Sequence, residues 1–528
     1  MNFLLFILLL SQVICTWSHG WPPYNHEDDC LDVAIIGAGI GGTYTGYRLR
    51  NRGLKLAIFE YSDRVGGRMF TAALPTVPGT TVDFGAMRLN PKEHTFLAHT
   101  ATKLGLKIVD FPLNYGNRNE TIYYLRGRHL LPDELGGPRT PYNLRPNERL
   151  SPTDLLWKLY TENTNMSRYA YPSESEIYTI YTTDGYPLYT MSMDNFLSRY
   201  ASREAYSYLR DALVWHHATG RFGAQIGLDF LTFLSDDTSP TDLKTVDNGM
   251  DQVPKRLLSA FVLASPRHSI HLNHHLTSMK GRPGNYRLTF QPTRTVAGYT
   301  KPTLLPNRHV CARKVILAIQ KDCVEKVDFA PYKSREFRRR LNTVYGVQSQ
   351  KIFLAYPYPW KDFNNINENI THAKTNLPSK FTYDWREGSN GYWIHLPSYS
   401  DGESSVALWR ELQNQGSTIY GSMPGAQRVS TEVRDRIHSY MSRIYRLPKS
   451  YIPSTVGGAM QLWDTFPFRA AWHIYKPGFR MEQTRDYMLK PFANHEVIHV
   501  AGSWWPNKLQ GWSEAALRAV DLAVKRYL

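Results

Sequence analysis

Cysteine is scarce, with four in 528 residues. Cys15 falls in an apolar leader, which leaves Cys30, Cys311 and Cys323. Three thiols allow one disulfide and one free or intermolecular cysteine, and exclude a disulfide-built scaffold. Their spacing offers no metal site. Long hydrophobic runs are missing too. The apolar run Phe3–Leu10 is too short to span a bilayer and reads as the core of a signal peptide over residues 1–20, although no Lys or Arg precedes it. No later run could cross a membrane, so a secreted, extracellular protein is expected. Acid is the minority charge, 46 Asp and Glu against 62 Lys and Arg, a formal net charge of +16. That bias favours anionic partners such as bacterial surfaces. No basic helix, zinc finger or aromatic RNA motif accompanies it, so nucleic-acid binding is not expected. Internal repeats and low-complexity blocks are absent.

Apolar residues are plentiful, 42% of the chain with 13% aromatic, enough for two or three globular units. Three sequons, at Asn119, Asn165 and Asn369, agree with a secreted glycoprotein.

The most informative stretch is "LDVAIIGAGIGGTYTGYRLRNRGLKLAIFE" at Leu31–Glu60. Val33–Ile36 is wholly apolar, as a strand buried on both faces requires. Gly37, Ala38, Gly39 and Gly42 then set out G-x-G-x-x-G. Gly37 suits a tight turn, Gly39 lets a pyrophosphate approach the backbone, and Gly42 lets the helix sit close to the strand. The helix N-terminus supplies N–H donors to phosphate. Leu56–Phe59 is a second strand, and Glu60 at its end can accept hydrogen bonds from a ribose diol. Further on, "YSDRVGGRMFT" brings Gly66, Gly67 and Arg68, and "VDFGAMRLN" brings Gly85, Ala86, Met87 and Arg88. The first is a second glycine turn carrying a cation; the second allows backbone to approach a flat ring.

These four parts, in this order, resemble the flavin amine oxidase family. The resemblance implies FAD, held without a covalent bond because no cysteine lies in "FPFRAAWH" or the C-terminal loop. It implies an α/β fold with an FAD-binding Rossmann-like (GR2-type) domain, interdigitated with a mixed-sheet substrate domain and a helical insertion. No second G-x-G-x-x-G follows a strand, so molecular oxygen rather than a nicotinamide is the expected electron partner. At the far end, "EVIHVAGSWWPNKLQGWSEAAL" is similar to the family's closing motif. Gly502, Ser503, Gly511, Trp512 and Ser513 match it, and the helix it opens would point its N-terminus at the flavin. Ser503 stands where the family usually has Glu, and Ala515 where it has Gly.

For the substrate, the resemblance narrows to secreted L-amino-acid oxidases, and further to the mollusc group of the achacin and aplysianin type. It implies that Arg88 grips a substrate carboxylate, which suits a guanidinium fork. Lys351, entering a strand-like run Ile352–Ala355, would hold a water near the flavin and serve catalysis. Tyr383 would meet the carboxylate, with Gly511, Trp512 and Trp472 shaping the pocket. The pocket histidine of snake-venom oxidases has no counterpart in "FLSDDTSPTD"; His216, His217 and His473 remain as candidates. The expected function is oxidative deamination of L-amino acids to 2-oxo acids, ammonia and hydrogen peroxide, with an antimicrobial consequence. An amine or polyamine oxidase, or a defence glycoprotein keeping the fold with weak turnover, are the rival readings. Cofactor-binding sequence is expected at 31–95, 246–345 and 458–528. The substrate domain would take 96–139 and 346–457, and the helical insertion 140–235. Oligomeric state, disulfide pairing and preferred amino acid stay open.

Overall fold

The computed structural model describes residues 30–111, 120–167, 173, 175–215, 220–228, 243–361, 369–388, 391–506 and 509–528. The expected signal peptide, the Asn119 sequon and the histidines at 216 and 217 lie outside them. Asn165 and Asn369 are exposed.

The first sheet grows from β1 (Leu31–Ile36). Its apolar sequence is buried because it has a parallel neighbour on each side: β2 (Leu56–Phe59) and β3 (Arg308–Leu317). The register sets Ile35 against Ile58 on one side and Ile316 on the other. Across the sheet the order is 274–282, 285–296, β3, β1, β2, 268–271. β3 divides its pairing: Arg308–Ala312 takes the antiparallel strand 285–296, and Val315–Leu317 takes β4 (Val497–His499) in parallel. Thus residues nearly five hundred apart in sequence meet in one sheet. Cys30 and Cys311 form a disulfide where β1 and β3 begin to pair, and Cys323 is free.

The helix α1 (Ile40–Leu49) follows β1. Gly37 has φ +99°, which L side chains rarely adopt, and makes the turn between them. A Cβ on Gly42 would collide with the Gly37 carbonyl oxygen, so helix and strand close up only because Gly42 has none. The C-terminal helix α2 (Ser513–Tyr527) packs beside α1, and Arg48 joins Asp521 across them at 2.6 Å.

A second sheet of seven strands runs 457–462, 349–356, 393–401, 381–387, 372–375, 121–125, 128–130. Helices Glu403–Asn414 and Thr431–Ile444 pack on it. The strand Gly457–Leu462 pairs with Ser349–Tyr356, so the expected domain boundary at 457/458 falls at the start of a strand of this sheet. The helix Thr95–Lys103, expected with the substrate domain, instead docks on α2. Between the sheets' sequences lie helices Pro152–Asn163, Met193–Tyr200 and Arg203–Leu213, each opened by a serine accepting from the backbone N–H three residues on.

Candidate active site

A cavity of about 430 Å³ opens where the first sheet's glycine turn, α2 and the second sheet converge. Gly37, Gly39, Ile40 and Gly41 form one part of its wall. α1 has no side-chain cap and no acid in its first turn, so its N-terminal N–H groups and positive dipole end are left for an anion. Glu60 lines the cavity beside this turn. One carboxylate oxygen accepts from the Ala38 N–H at 2.8 Å; the other accepts from the Ser62 N–H and hydroxyl at 2.9 Å. A carboxylate has roughly four lone-pair sites, so capacity remains for a diol. Ala38 and Gly42 stand behind the wall and shape it.

The second glycine turn abuts the first: the Gly66 N–H donates to Ala38 O at 2.9 Å. Gly67 and Arg68 line the cavity. The Arg68 guanidinium donates to Ala471 O at 2.8 Å, and burial pushes its pKa down to about 10. Gly502, Ser503, Gly511, Trp512 and Ser513 close the opposite side, brought there by β4 and the start of α2. Gly511 abuts Trp472. The acid in α2's first turn, Glu514, faces away and accepts from the Phe96 and Leu97 N–H groups at 3.1 and 2.9 Å. It therefore ties helix 95–103 to α2 without neutralising the end that faces the cavity.

Gly85, Ala86, Met87 and Arg88 form the floor, with Lys351 beside them. Arg88 is 8% exposed and its guanidinium lies over the Phe111 ring at 5.9 Å. Lys351 is 2% exposed. Its Nζ donates to Asp83 O at 3.0 Å and Gly85 O at 2.6 Å, and sits over the Tyr399 ring at 4.9 Å. Burial pushes the Lys351 pKa down to about 7; Asp83 opposes this and the Arg88 charge adds to it. A buried amine titrating near neutrality beside a guanidinium is a proton-handling group next to an anion-binding one.

The structure does not bring Tyr383 to the cavity. It is buried in the strand Phe381–Glu387, stacked on Phe381 at 5.4 Å. The tyrosine that lines the cavity beside Lys351 is Tyr399, one strand nearer and directly paired with it. Sequence reasoning also missed Trp215, Phe222 and Ile226, which the helical insertion contributes to the wall. Trp215 meets Tyr399 edge-on at 4.8 Å and Trp472 at 6.2 Å. An aromatic inside an otherwise helical segment was the only available signal. His473 does line the cavity; its imidazole is enclosed, held below its ordinary pKa by burial, and its Nε2 lies 3.6 Å from Asp322.

The residues present fit a dinucleotide with a flat ring system. Two helix N-termini and an acid-ended strand face one cavity, and the buried Ser503 Oγ has no hydrogen-bond partner among the described residues. That orphaned hydroxyl stands where a polyol chain would give it one.

Comparison with known proteins agrees. The family described as flavin containing amine oxidoreductase matches residues 40–524. Aplysianin-A from Aplysia kurodai is 31% identical over 95% of this chain and 90% of its own length. Achacin from Lissachatina fulica is 30% identical over 94% and 93%. An L-amino-acid oxidase from Naja atra is 22% identical over 92% and 85%. In fold, the chain is similar to cyclohexylamine oxidase from Brevibacterium oxydans IH-35A (TM-score 0.67, 16% identity, covering 94% and 99%). It is also similar to putrescine oxidase bound to putrescine (TM-score 0.65, 18% identity, covering 94% and 98%). The glycine turns, the closing motif and the fold they build have one explanation: this chain belongs to the flavin-containing amine oxidoreductase family.

Proposed function

We propose that the protein is a secreted L-amino-acid oxidase that uses non-covalently bound FAD. The observation that carries this is Arg88, a buried guanidinium in the cavity wall within electrostatic reach of Lys351. An amine alone needs no such group, whereas a carboxylate does. The overall reaction is oxidation of the substrate Cα–N bond to an imine, hydrolysis to a 2-oxo acid and ammonia, and reduction of oxygen to hydrogen peroxide. Bound FAD supplies the two-electron acceptor for the Cα hydride and the route to oxygen.

Arg88 anchors the carboxylate and so fixes which face of Cα is presented. Lys351 holds or yields a proton at Nζ near pH 7, anchored by the Asp83 and Gly85 carbonyls. Trp215, Trp472 and Trp512 wall off water. Gly37, Gly39, Gly67 and Arg68 would hold the pyrophosphate, Glu60 the ribose, and Ser503 the ribityl chain. Ser513 at the start of α2 would face the pyrimidine ring, where a helix N-terminus favours negative charge. Among the described residues no helix is long and apolar enough to cross a membrane. With an apolar leader and a net charge of +16, release of peroxide beside anionic bacterial surfaces is the proposed antimicrobial role.

The test is the absorption spectrum of purified protein, followed by anaerobic addition of L-amino acids. A yellow protein bleached by L-amino acids and not by putrescine or spermine supports the proposal. A yellow protein bleached only by the amines makes it an amine oxidase, and one bleached by neither is a fold kept without turnover.

A further inference from the structure

The chain's positive charge is concentrated. From Gln252 to Gln320 there is no Asp or Glu, while eleven Lys and Arg fall in the same stretch. Several of these bases find acids outside it: Lys255 reaches Asp251, Arg313 reaches Asp32 and Lys314 reaches Glu496. Neither Arg294 nor Lys301 makes an ion pair among the described residues. Instead they stand directly opposite each other in the hairpin of strands Asn285–Val296 and Tyr299–Pro302. Like charges in that position are destabilising. The next pair on the same face, two residues nearer the turn, is Val296 with Tyr299, and both are exposed.

The hairpin is held in place from behind. Thr293, Thr295 and Thr300 take its other face, and the Thr295 and Thr300 hydroxyls meet at 2.8 Å. Thr293 Oγ1 donates to Tyr61 O at 2.6 Å, and the Tyr61 hydroxyl donates to Thr300 O at 3.0 Å. At the turn, the Ala426 N–H donates to Ala297 O at 2.8 Å, from the segment between helices Glu403–Asn414 and Thr431–Ile444. The face bearing Arg294, Val296, Tyr299 and Lys301 is thereby kept toward solvent. Past Pro302 the chain adds two more apolar side chains, Leu304 fully exposed and Leu305 61% exposed.

Charge on an edge strand discourages another strand from adding to it. Exposed leucines beside that edge work against such a purpose, so protection of the edge does not account for the patch. Cations and apolar side chains together match the boundary of an anionic bilayer, where the cations meet phosphate headgroups and the apolar groups enter the acyl margin. A second copy of this chain would bring the same charges and be repelled. A polyanionic glycan would satisfy the cations and leave the leucines in water. We propose that this face is a docking surface for an anionic phospholipid bilayer, with Arg294 and Lys301 on the headgroups and Val296, Leu304 and Leu305 in the interface. It needs neither Arg88 nor Lys351, so it stands or falls apart from the oxidase reading.

The experiment is co-sedimentation of the whole protein with vesicles of equimolar phosphatidylglycerol and phosphatidylcholine, and with vesicles of phosphatidylcholine alone. Wild type should sediment with the first and stay in solution with the second. Arg294→Gln combined with Lys301→Gln should weaken binding by about 10- to 30-fold, the worth of two cations at an anionic surface. Leu304→Ser combined with Leu305→Ser should weaken it by roughly tenfold. Lys103→Gln combined with Arg128→Gln removes the same charge from exposed positions elsewhere and should change binding by less than about twofold. Removing Arg294 and Lys301 relieves a repulsion, so the thermal midpoint of that variant should hold or rise; a fall would give the pair a structural role and overturn the inference. A wild type that ignores the anionic vesicles overturns it, as does equal weakening by the two charge-removing variants. Weakening on loss of the bases with none on loss of the leucines would make the ligand a polyanion other than a bilayer and overturn the assignment.

Discussion

Replacing Lys351 with methionine should remove a rise in the protein's stability with pH. Lysine in an unfolded chain titrates near 10.5, and Lys351 in the folded protein near 7. The gap corresponds to about 5 kcal/mol, at 1.36 kcal/mol per unit. Between those values the unfolded chain holds one more proton than the folded one, so stability rises with pH. Above about 10.5 the buried neutral amine costs nothing in charge; as pH falls to 7 the full penalty for a buried ammonium develops, and below 7 it stays constant. Methionine removes both the titration and the penalty. It also strips the Asp83 and Gly85 carbonyls of a donor, at about 1–3 kcal/mol each, whatever the pH. The variant should therefore be close to wild type in stability at pH 6 and about 4 kcal/mol less stable at pH 10. The assay is urea unfolding of both proteins across that range, taken as a difference so that every other titrating group cancels. The same group should give wild-type kcat/KM a limb near pH 7 that the variant lacks. A stability difference that does not vary with pH would show that the amine is not depressed and would remove Lys351 as a neutral-pH proton carrier.

Three further outcomes are expected. Arg88→Ala should lower kcat/KM for L-amino acids by on the order of 10²-fold or more, the scale of a lost charge-assisted pair. It should lower oxidation of a carboxylate-free amine far less, measured by peroxide production, and only through the upward shift of the Lys351 pKa that loss of the neighbouring charge brings. Glu514→Gln should destabilise the fold by about 2–4 kcal/mol, because a fully buried acceptor of two backbone N–H groups and of Arg518 Nε at 2.8 Å loses its charge; the thermal midpoint reads it. Replacing Cys30 and Cys311 with alanine should cost about 5.6 kcal/mol on the chain-entropy account, since the bridge closes a loop with a sequence separation of 281; urea unfolding under non-reducing conditions measures it.

The cofactor side of the site was legible because its chemistry is local. A turn that must be left-handed, a helix that must touch its strand and an acid at a strand end all fall within thirty residues. The structure puts each in the expected place, Gly37 at φ +99° and Gly42 against the Gly37 carbonyl. The closing motif was legible for the same reason: Gly511, Trp512 and the start of α2 are contiguous. The pairing of Cys30 with Cys311 was not, because it depends on β3 lying beside β1, and nothing local in either cysteine's neighbourhood announces that.

The substrate side was harder because it is assembled by register. Lys351 and Tyr399 face each other as paired residues of neighbouring strands. Tyr383 belongs to the next strand out, opposite Leu396, with the whole strand 393–401 between it and Lys351. In sequence the two tyrosines look alike, each in an aromatic, alternating run. Which one reaches the cavity is decided by strand order and by irregularities in the ladder, between Ile352 and Leu354 on one side and between Phe381 and Tyr383 on the other. A one-residue slip reverses the face a side chain occupies, so bulges of this kind erase the information that period-two patterning would carry. Trp215 shows the same limit across longer range. It comes from the segment after helix Arg203–Leu213, yet its ring rests on Tyr399 and Trp472, from two other parts of the chain. The pocket wall is thus a property of three segments meeting. A substitution at Trp215 would be felt by Lys351 through Tyr399, whose ring lies against both.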